Sequence, residues 1–310
     1  MIELKLFNDF WINCWFNSNY SIITSINESY IGAAYMNNYS YISEEAKSPF
    51  ETTFKYMKIG PSEAQNKFIL SIIKQVPIKF KEKYSISELV IKLLKENPFF
   101  LGVDLYYLVP DSICFKKHHF NHFTLIKEYN VENDAFIVFD ESFQGYEAHS
   151  IPRARFEEAA MASSLEIDAY LLQFNENIVD YDFNYLEVSE NASRLSIELE
   201  ILLGDYWQLS DKDLKAGFML DFFAMYAFGI TNRQTANIEL MKLLYSKGLI
   251  SENKYVKLVS KFKSLEKEWE ILKGRFIKSS ISRRFDVQKM NEYKNLLIVN
   301  EIEAWKMLLN

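Results

Sequence analysis

Apolar and polar positions follow two different rhythms along the chain. In "SISELVIKLLKENP", Leu89, Leu93 and Leu94 recur at helical spacing. Ser85 and Glu88 have the spacing of a capping box, and Pro98 ends the pattern, so a helix is expected here. Farther upstream, "CWFNSNYSIITSINESYIGAAYM" reads as a helix opening near Cys14. "FFLGVDLYYLV" is a continuous apolar run that predicts a buried strand. "HFTLIKEY" and "AFIVFD" are β-branched and aromatic runs separated by the polar "NVEND", which predicts a hairpin. Beyond residue 190 the rhythm becomes helical: 193–203, 210–229, 234–247, 252–278 and 286–309 favour helix. Lys254 to Lys278 is amphipathic, with Leu258, Leu265, Trp269 and Leu272 on one side.

Proline usage sharpens this division. All 6 prolines lie at or before Pro152. The pattern predicts an α+β domain over 1–175 and a mostly helical domain over 190–310, joined by the polar stretch Asn175 to Asn191. The most apolar stretch, Ala216 to Ile230, is 15 residues long and contains Asp221. A membrane span needs about 20 mostly apolar residues, so a buried helix is expected and no membrane partner. The opening "MIELKLFNDFWINCWF" lacks a basic segment followed by an apolar run, hence no secretory signal is expected. Two cysteines provide no disulfide framework, which makes a reducing cytoplasm the default location. A net charge of −7 argues against general nucleic-acid binding.

Three of the 4 histidines, His118, His119 and His122, fall within "CFKKHHFNHF". Cys114, His118 and His122 have an i, i+4, i+8 spacing that would align zinc ligands on a helix face. The segment instead follows Pro110 and runs directly into a β-branched strand, and no second Cys or His pair completes a site. The expectation is therefore no metal. The hairpin offers another arrangement. His122 opens one strand and Asp140 closes its partner, at nearly equal distances from the turn, and both share the parity of Thr124, Ile126, Phe136 and Val138. Residues opposite each other in such a pair have Cβ atoms ~4.5–5.5 Å apart. A carboxylate there would fix the imidazole tautomer and stabilise its charged form. A surface His–Asp pair is the simpler alternative on geometry alone.

Cys14 adds a nucleophile. A thiol at a helix N-terminus is pushed towards thiolate by the helix dipole, and a nearby imidazolium adds to the effect. A cysteine between aromatic residues can equally be core. Cysteine at an early helix start, histidine at a strand start and aspartate at the end of the next strand together form a pattern more specific than any one residue.

That order, with its Cys-Trp pair, resembles the papain-like cysteine peptidase superfamily. "GVDLYYLVPDSICFKKHHFNHFTLIKEYNVENDAFIVFDES" is similar, more narrowly, to the butirosin biosynthesis protein H N-terminal family, over about residues 8–160. The resemblance implies a papain-like fold, a central helix against an antiparallel sheet, followed by the helical part. It implies an acyltransferase of antibiotic biosynthesis that moves an acyl group from a carrier-protein thioester to an amine or diamine. The phosphopantetheine would belong to the carrier, and the enzyme itself would hold no cofactor. Cys14 would be the acyl-accepting nucleophile, His122 the base and Asp140 its orienting group. Where papain-like enzymes place an oxyanion-stabilising glutamine six residues before the cysteine, this chain has Asn8, one methylene shorter. Asn13 and the backbone N–H of Cys14 are further candidates for that role. His118 and His119 would lie at the mouth of the site, and Cys114 would be an incidental loop thiol.

Between Lys254 and Arg284 there are ten Lys/Arg and three Glu, a net of +7 in a chain of −7. A basic stretch on an acidic protein suits an anionic partner. Lys254, Lys257, Lys261, Arg275, Arg283 and Arg284 are the candidates for docking an acidic acyl carrier protein. Glu266, Glu268 and Glu270 interleave with them, which would also suit a solvated helix face. Two other functions use the same residues: a peptidase or thioesterase, with water as acceptor, and a non-catalytic carrier-binding scaffold.

Overall fold

A six-stranded antiparallel sheet frames the first of two compact units. The computed structural model describes residues 2–42, 59, 61–80, 85–175, 178–204, 209–210 and 218–310. The first unit comprises Met1–Ile31 and Asn66–Tyr181, and the second Gly32–Gln65 and Asp182–Asn310. This division differs from the expected one at 175–190, because residues 32–65 group with the C-terminal helices. The protein is thus α+β, with an antiparallel sheet in one unit and helices dominating the other. No helix among the described residues is long and apolar enough to cross a membrane.

In the first unit the elements are α1 (Cys14–Ile26), β1 (Ile73–Ile78), α4 (Ile86–Leu94), β2 (Phe99–Asp104), β3 (Asn121–Asn130), β4 (Ala135–Ser142), β5 (Gly145–Pro152), α5 (Arg153–Ala162) and β6 (Ala169–Phe174). The short α2 (Ile31–Tyr35) and α3 (Glu63–Ile72) straddle the unit boundaries. Strand order is β1-β6-β2-β3-β4-β5. The expected buried strand is β2, whose six residues are all buried. The expected hairpin is β3–β4. Three strands, β1, β5 and β6, carry weaker alternation and were not anticipated. The helix expected to run through "CWFNSNYSIITSINESYIGAAYM" is broken after Ile26, where Asn27 turns extended and a short 3-10 turn follows.

A dense apolar core holds α4 and α5 to the sheet: Val90, Phe99, Leu101, Ile126, Phe136, Val138 and Phe156 are all fully buried. The buried face of α4 is Ile86, Ser87, Val90 and Leu94; of the leucines picked out by spacing Leu94 is on it, while Leu89 and Leu93 are half-buried beside it. Ser85 does not form the expected capping box. Its φ of 58° puts it in the left-handed region, and its side chain makes no cap hydrogen bond. Gly102 lets the chain pack closely where β2 meets the approach to β6. A Cβ there would stand 3.1 Å from Leu165 Cδ1 and 3.2 Å from the Asp168 carbonyl oxygen, the same carbonyl that Gly102 N–H hydrogen-bonds at 2.8 Å.

In the second unit, α6 (Tyr185–Leu203), α7 (Phe218–Ser246), α8 (Glu252–Ser282) and α9 (Val287–Leu309) pack together. The helix expected from 193 begins earlier, at Tyr185, because the Asn184 side chain caps Leu186 N–H. It therefore takes up much of the expected linker. Residues 218–246 form one helix where two were expected, and positions 211–217 of the expected 210–229 helix lie outside the described residues. Leu258, Phe262, Leu265, Trp269, Leu272, Phe276 and Ser279 form the buried seam of α8. Their alternating spacing of four and three is that of a coiled-coil contact. Gly248, at φ +69°, ends α7: Leu249 N–H reaches back to the Leu244 carbonyl at 2.9 Å, and Gly248 N–H to Tyr245.

Residues 37–41 are held to these helices by polar contacts. Arg194 donates to the Tyr39 carbonyl at 2.7 Å, Glu198 accepts from Tyr41 N–H at 2.6 Å, and the Tyr41 hydroxyl donates to buried Glu301 at 2.6 Å. This explains why a segment from the N-terminal half belongs to the helical unit.

Candidate active site

Asn13 defines where α1 begins. Its backbone is extended, and its Oδ1 accepts from Phe16 N–H at 2.8 Å, so Cys14 becomes the first helical residue. Buried Asn17 fixes the preceding loop by donating to the Phe10 carbonyl at 2.7 Å and accepting from Ile12 N–H at 3.1 Å. Phe7, Phe10, Phe16 and Tyr20 pack around it, with Phe16 and Tyr20 ring centroids 4.4 Å apart. At the other end of the contact, Ser18 and Tyr146 share a 2.5 Å hydrogen bond between hydroxyls. Cys14 is therefore held by a rigid segment.

His122 stands on β3 opposite Val103 of β2, and Asp140 on β4. The register departs from the expected symmetry. Leu125 pairs with Phe139, and a bulge follows between Ile126 and Glu128. The extra residue carries Asp140 alongside Thr124, so His122 and Asp140 face each other diagonally. Both stay on the side shared by Ile126 and Val138. His122 Nε2 is 3.5 Å from Asp140 Oδ1, and Cys14 Sγ lies 3.6 Å from the same oxygen. One ligating atom from each of Cys14, His122 and Asp140 lies within 4.8 Å of the others. Cys14 and Asp140 are buried and His122 nearly so.

The electrostatics depart from the expected thiolate. Burial, followed by the negative charges of Asp140 and Glu141, pushes the Cys14 thiol well above its ordinary range. Cys14 is thus a neutral S–H donor to Asp140. For His122, burial opposes the charged form, but the Asp140 carboxylate outweighs it and raises the imidazole pKa. Asp140 is the converse: burial alone would raise it, and His122, the Thr124 hydroxyl and Glu141 N–H together hold it below the usual carboxylate range.

Glu141 escaped the sequence reading. It is pushed upward chiefly by burial and then by Asp140, while its contact with Cys14 opposes this. Its position immediately after Asp140 was the available signal. Asn8 is exposed at the surface of the N-terminal segment, whereas Asn13 uses its side-chain oxygen for capping and keeps its amide N–H₂ as a donor. His119 is occupied elsewhere: its Nδ1 is 2.7 Å from Asp104 Oδ2 and its ring stacks on Tyr106 at 4.3 Å. His118 and Cys114 lie in the irregular segment before β3, so the i, i+4, i+8 spacing never forms a helix face.

A cavity of about 200 Å³ adjoins the triad, lined by Trp15, Gln75, Phe100, His122, Phe123 and Tyr170. Of the aromatics that flank the histidine cluster in sequence, Phe123 is in this wall. Tyr106 and Tyr107 instead receive the Lys116 ammonium, 5.0 and 4.4 Å from their ring centroids, and Phe120 is exposed.

The sulfur, nitrogen and carboxylate oxygen of the triad are also a set that can seat zinc. Bonds of about 2.0–2.3 Å to a tetrahedral ion would separate the ligand atoms by distances close to those seen here. The docking candidates do not form one patch. Lys254, Lys257 and Lys261 line a groove of about 590 Å³ with Lys306 and Glu303, while Arg283 and Arg284 sit at the far end of α8. At about 1.5 Å per helical residue the two groups are roughly 33–45 Å apart. Lys261 is paired with Glu303 at 2.8 Å, and Arg275 lies over the Tyr293 ring at 4.2 Å.

No protein-family model matches the chain, and comparison with curated proteins finds no match.

Proposed function

We propose that the protein is a cysteine-dependent acyltransferase with a papain-like site, which moves an acyl group from a carrier-protein thioester to an amine in natural-product biosynthesis. The observation that carries this reading is the convergence of Cys14, His122 and Asp140 from a helix start and two strands to within 4.8 Å. The Cys14 proton passes to His122 as the sulfur attacks the thioester carbonyl, and collapse of the adduct expels the carrier's pantetheine thiol, which takes that proton. An amine then attacks acyl-Cys14, His122 accepts its proton, and the amide leaves as the thiol is restored. The energy comes from exchanging a thioester for an amide. Burial of Cys14 and the aromatic cavity wall favour amine over water by limiting access of solvent. The lysine groove on the helical unit offers the acidic carrier and its pantetheine phosphate a counterpart.

Intact-protein mass spectrometry with an acyl-pantetheine thioester surrogate tests this. An acyl adduct on Cys14 that disappears on addition of a diamine is expected. Equal loss in plain buffer would make the protein a hydrolase. No adduct would leave the carrier-binding scaffold as the reading.

A further inference from the structure

The cavity beside His122 has one neutral polar side chain in a wall that is otherwise aromatic: Gln75, on the edge strand β1. The pairing of β1 with β6 and of β6 with β2 brings Gln75, Tyr170 and Phe100 to the same part of the sheet: Pro77 stands opposite Tyr170, and Tyr170 opposite Phe100. The orientation of the Gln75 amide is dictated by a relay from α1. The Trp15 carbonyl can only accept, so Asn19 must present Nδ2 to it, as it does at 2.6 Å. Asn19 Oδ1 is then turned outward and accepts from Gln75 Nε2 at 3.1 Å. One N–H of that amide is used in holding it to the helix that carries Cys14. The second N–H remains to serve the cavity.

We infer that Gln75 is the side-chain oxyanion donor of this site, in place of the exposed Asn8. The inference rests on Cys14 being the nucleophile. As the Cys14 sulfur bonds to the substrate carbonyl carbon, the carbonyl π pair moves onto oxygen, and the thiol proton goes to His122. The Gln75 N–H stabilises that oxygen until the pair returns, the carbon–sulfur bond to the leaving thiol breaks, and the proton departs with it. Cys14, the first residue of α1, adds a backbone N–H that has no intrahelical acceptor. Asn19 acts as a positioning residue, through its hydrogen bonds to the Trp15 carbonyl and the Gln75 amide.

The test compares two reactions of the same thiol in the full chain. Acylation by the pantetheine thioester surrogate passes through an oxyanion, whereas alkylation by iodoacetamide does not. Gln75→Met keeps the volume without a donor, and Gln75→Leu removes the donor with a second apolar side chain, so neither adds a charge beside the thiol. Both are expected to slow formation of acyl-Cys14 by about 10²–10³-fold while alkylation stays within about twofold. Acylation of both variants at the wild-type rate overturns this inference alone. A parallel fall in acylation and alkylation also overturns it, since it would show that Gln75 only maintains the surroundings of Cys14. Failure of the wild-type protein to acylate overturns the inference together with the acyltransfer reading.

Discussion

His122 and Asp140 meet diagonally across the β3–β4 hairpin, Nε2 3.5 Å from Oδ1, because a bulge after Ile126 shifts the pairing. The same carboxylate oxygen holds the Cys14 thiol at 3.6 Å. Asp140 therefore does two opposing things. It favours the imidazolium of His122 and disfavours the thiolate of Cys14.

This gives Asp140→Asn a signed pH effect. The proposed acyl transfer needs neutral His122 as base, so the acid limb of the wild-type profile is expected above the ordinary histidine value of 6.5. Asp140→Asn removes the charge that raises it, and the limb moves to lower pH, while the maximal rate falls by about 10²–10⁴-fold as the imidazole loses its orientation. The stability terms bracket a window. Asp140, with a depressed pKa, stabilises above its ordinary value of 3.8, and this is lost as pH falls through its folded value. His122, with a raised pKa, stabilises below 6.5, and this is lost as pH rises through its folded value. A pH profile of acyl-Cys14 formation, with thermal melts at the same pH values, checks both. An acid limb unmoved in the variant would remove Asp140 from its role.

Glu141 supplies an independent control of the thiol. Glu141→Gln removes one of the two negative charges beside Cys14 while leaving the His122–Asp140 contact in place. The Cys14 pKa should fall, and alkylation by iodoacetamide at pH 8 should rise, on the order of several-fold. Alkylation rates measured across a pH series would show it. An unchanged apparent pKa would mean that burial alone holds the thiol neutral.

Metal removal separates the two uses to which the triad atoms lend themselves. For acyl transfer by the thiol, dialysis against phenanthroline should leave acylation of Cys14 unchanged, and added zinc should suppress it by occupying Sγ, the imidazole and Oδ1 together. Elemental analysis of the purified protein beside the activity assay is the measurement. One zinc per chain, with activity lost on its removal and restored on its return, would reassign the site as a metal centre.

The triad was legible because its signals are local. A helix opening at Cys14 and a strand opening beside His122 each follow from a few neighbouring residues, as does the strand that carries Asp140, although it runs on to Ser142 instead of closing there. The diagonal contact was not legible, since one inserted residue in β3 shifts the register and leaves no mark in the hydrophobic pattern. The neutral state of Cys14 was hidden for a different reason. Helix position argues for thiolate, but burial and two carboxylates, one of them the overlooked Glu141, act through space and win. Ser85–Glu88 had the spacing of a capping box, yet the left-handed backbone at Ser85 turns the hydroxyl away. Gln75 is 61 positions from Cys14, and only the pairing of β1 with β6 brings it to the site.

The basic groove yields a prediction that distinguishes docking from a solvated surface. Lys254→Glu, Lys257→Glu and Lys261→Glu combined should raise KM for a carrier-bound thioester by about tenfold at low salt, with little change for a free pantetheine thioester. Arg283→Glu and Arg284→Glu probe the far end of α8 separately, since that end lies roughly 33–45 Å from the lysine cluster. KM values for both substrates, taken at two salt concentrations, decide between them. Equal effects on the free and carrier-bound substrates would remove the docking role of the groove.

Glu301 provides a test of the helical unit that is independent of the triad. It is fully buried, accepting hydrogen bonds from the Tyr41 hydroxyl at 2.6 Å and from Gln234 Nε2 at 2.7 Å. Burial raises its pKa to about 7, against an opposing pull from Tyr41, Trp305 and Gln234. Between its ordinary 4.5 and about 7, the folded protein binds the proton that the unfolded chain releases. Stability should therefore fall as pH rises through this interval, by on the order of 3 kcal/mol if the whole shift is expressed. Glu301→Gln cannot titrate, so the difference in Tm between wild type and variant should drift against the wild type from pH 4.5 to 7.5 and level off beyond. Lys294, lowered by burial to about 7, acts with the opposite sign and mainly above that value, so it does not imitate this drift. A constant Tm difference across the interval would show that Glu301 is ionised throughout, held by the three donors around it.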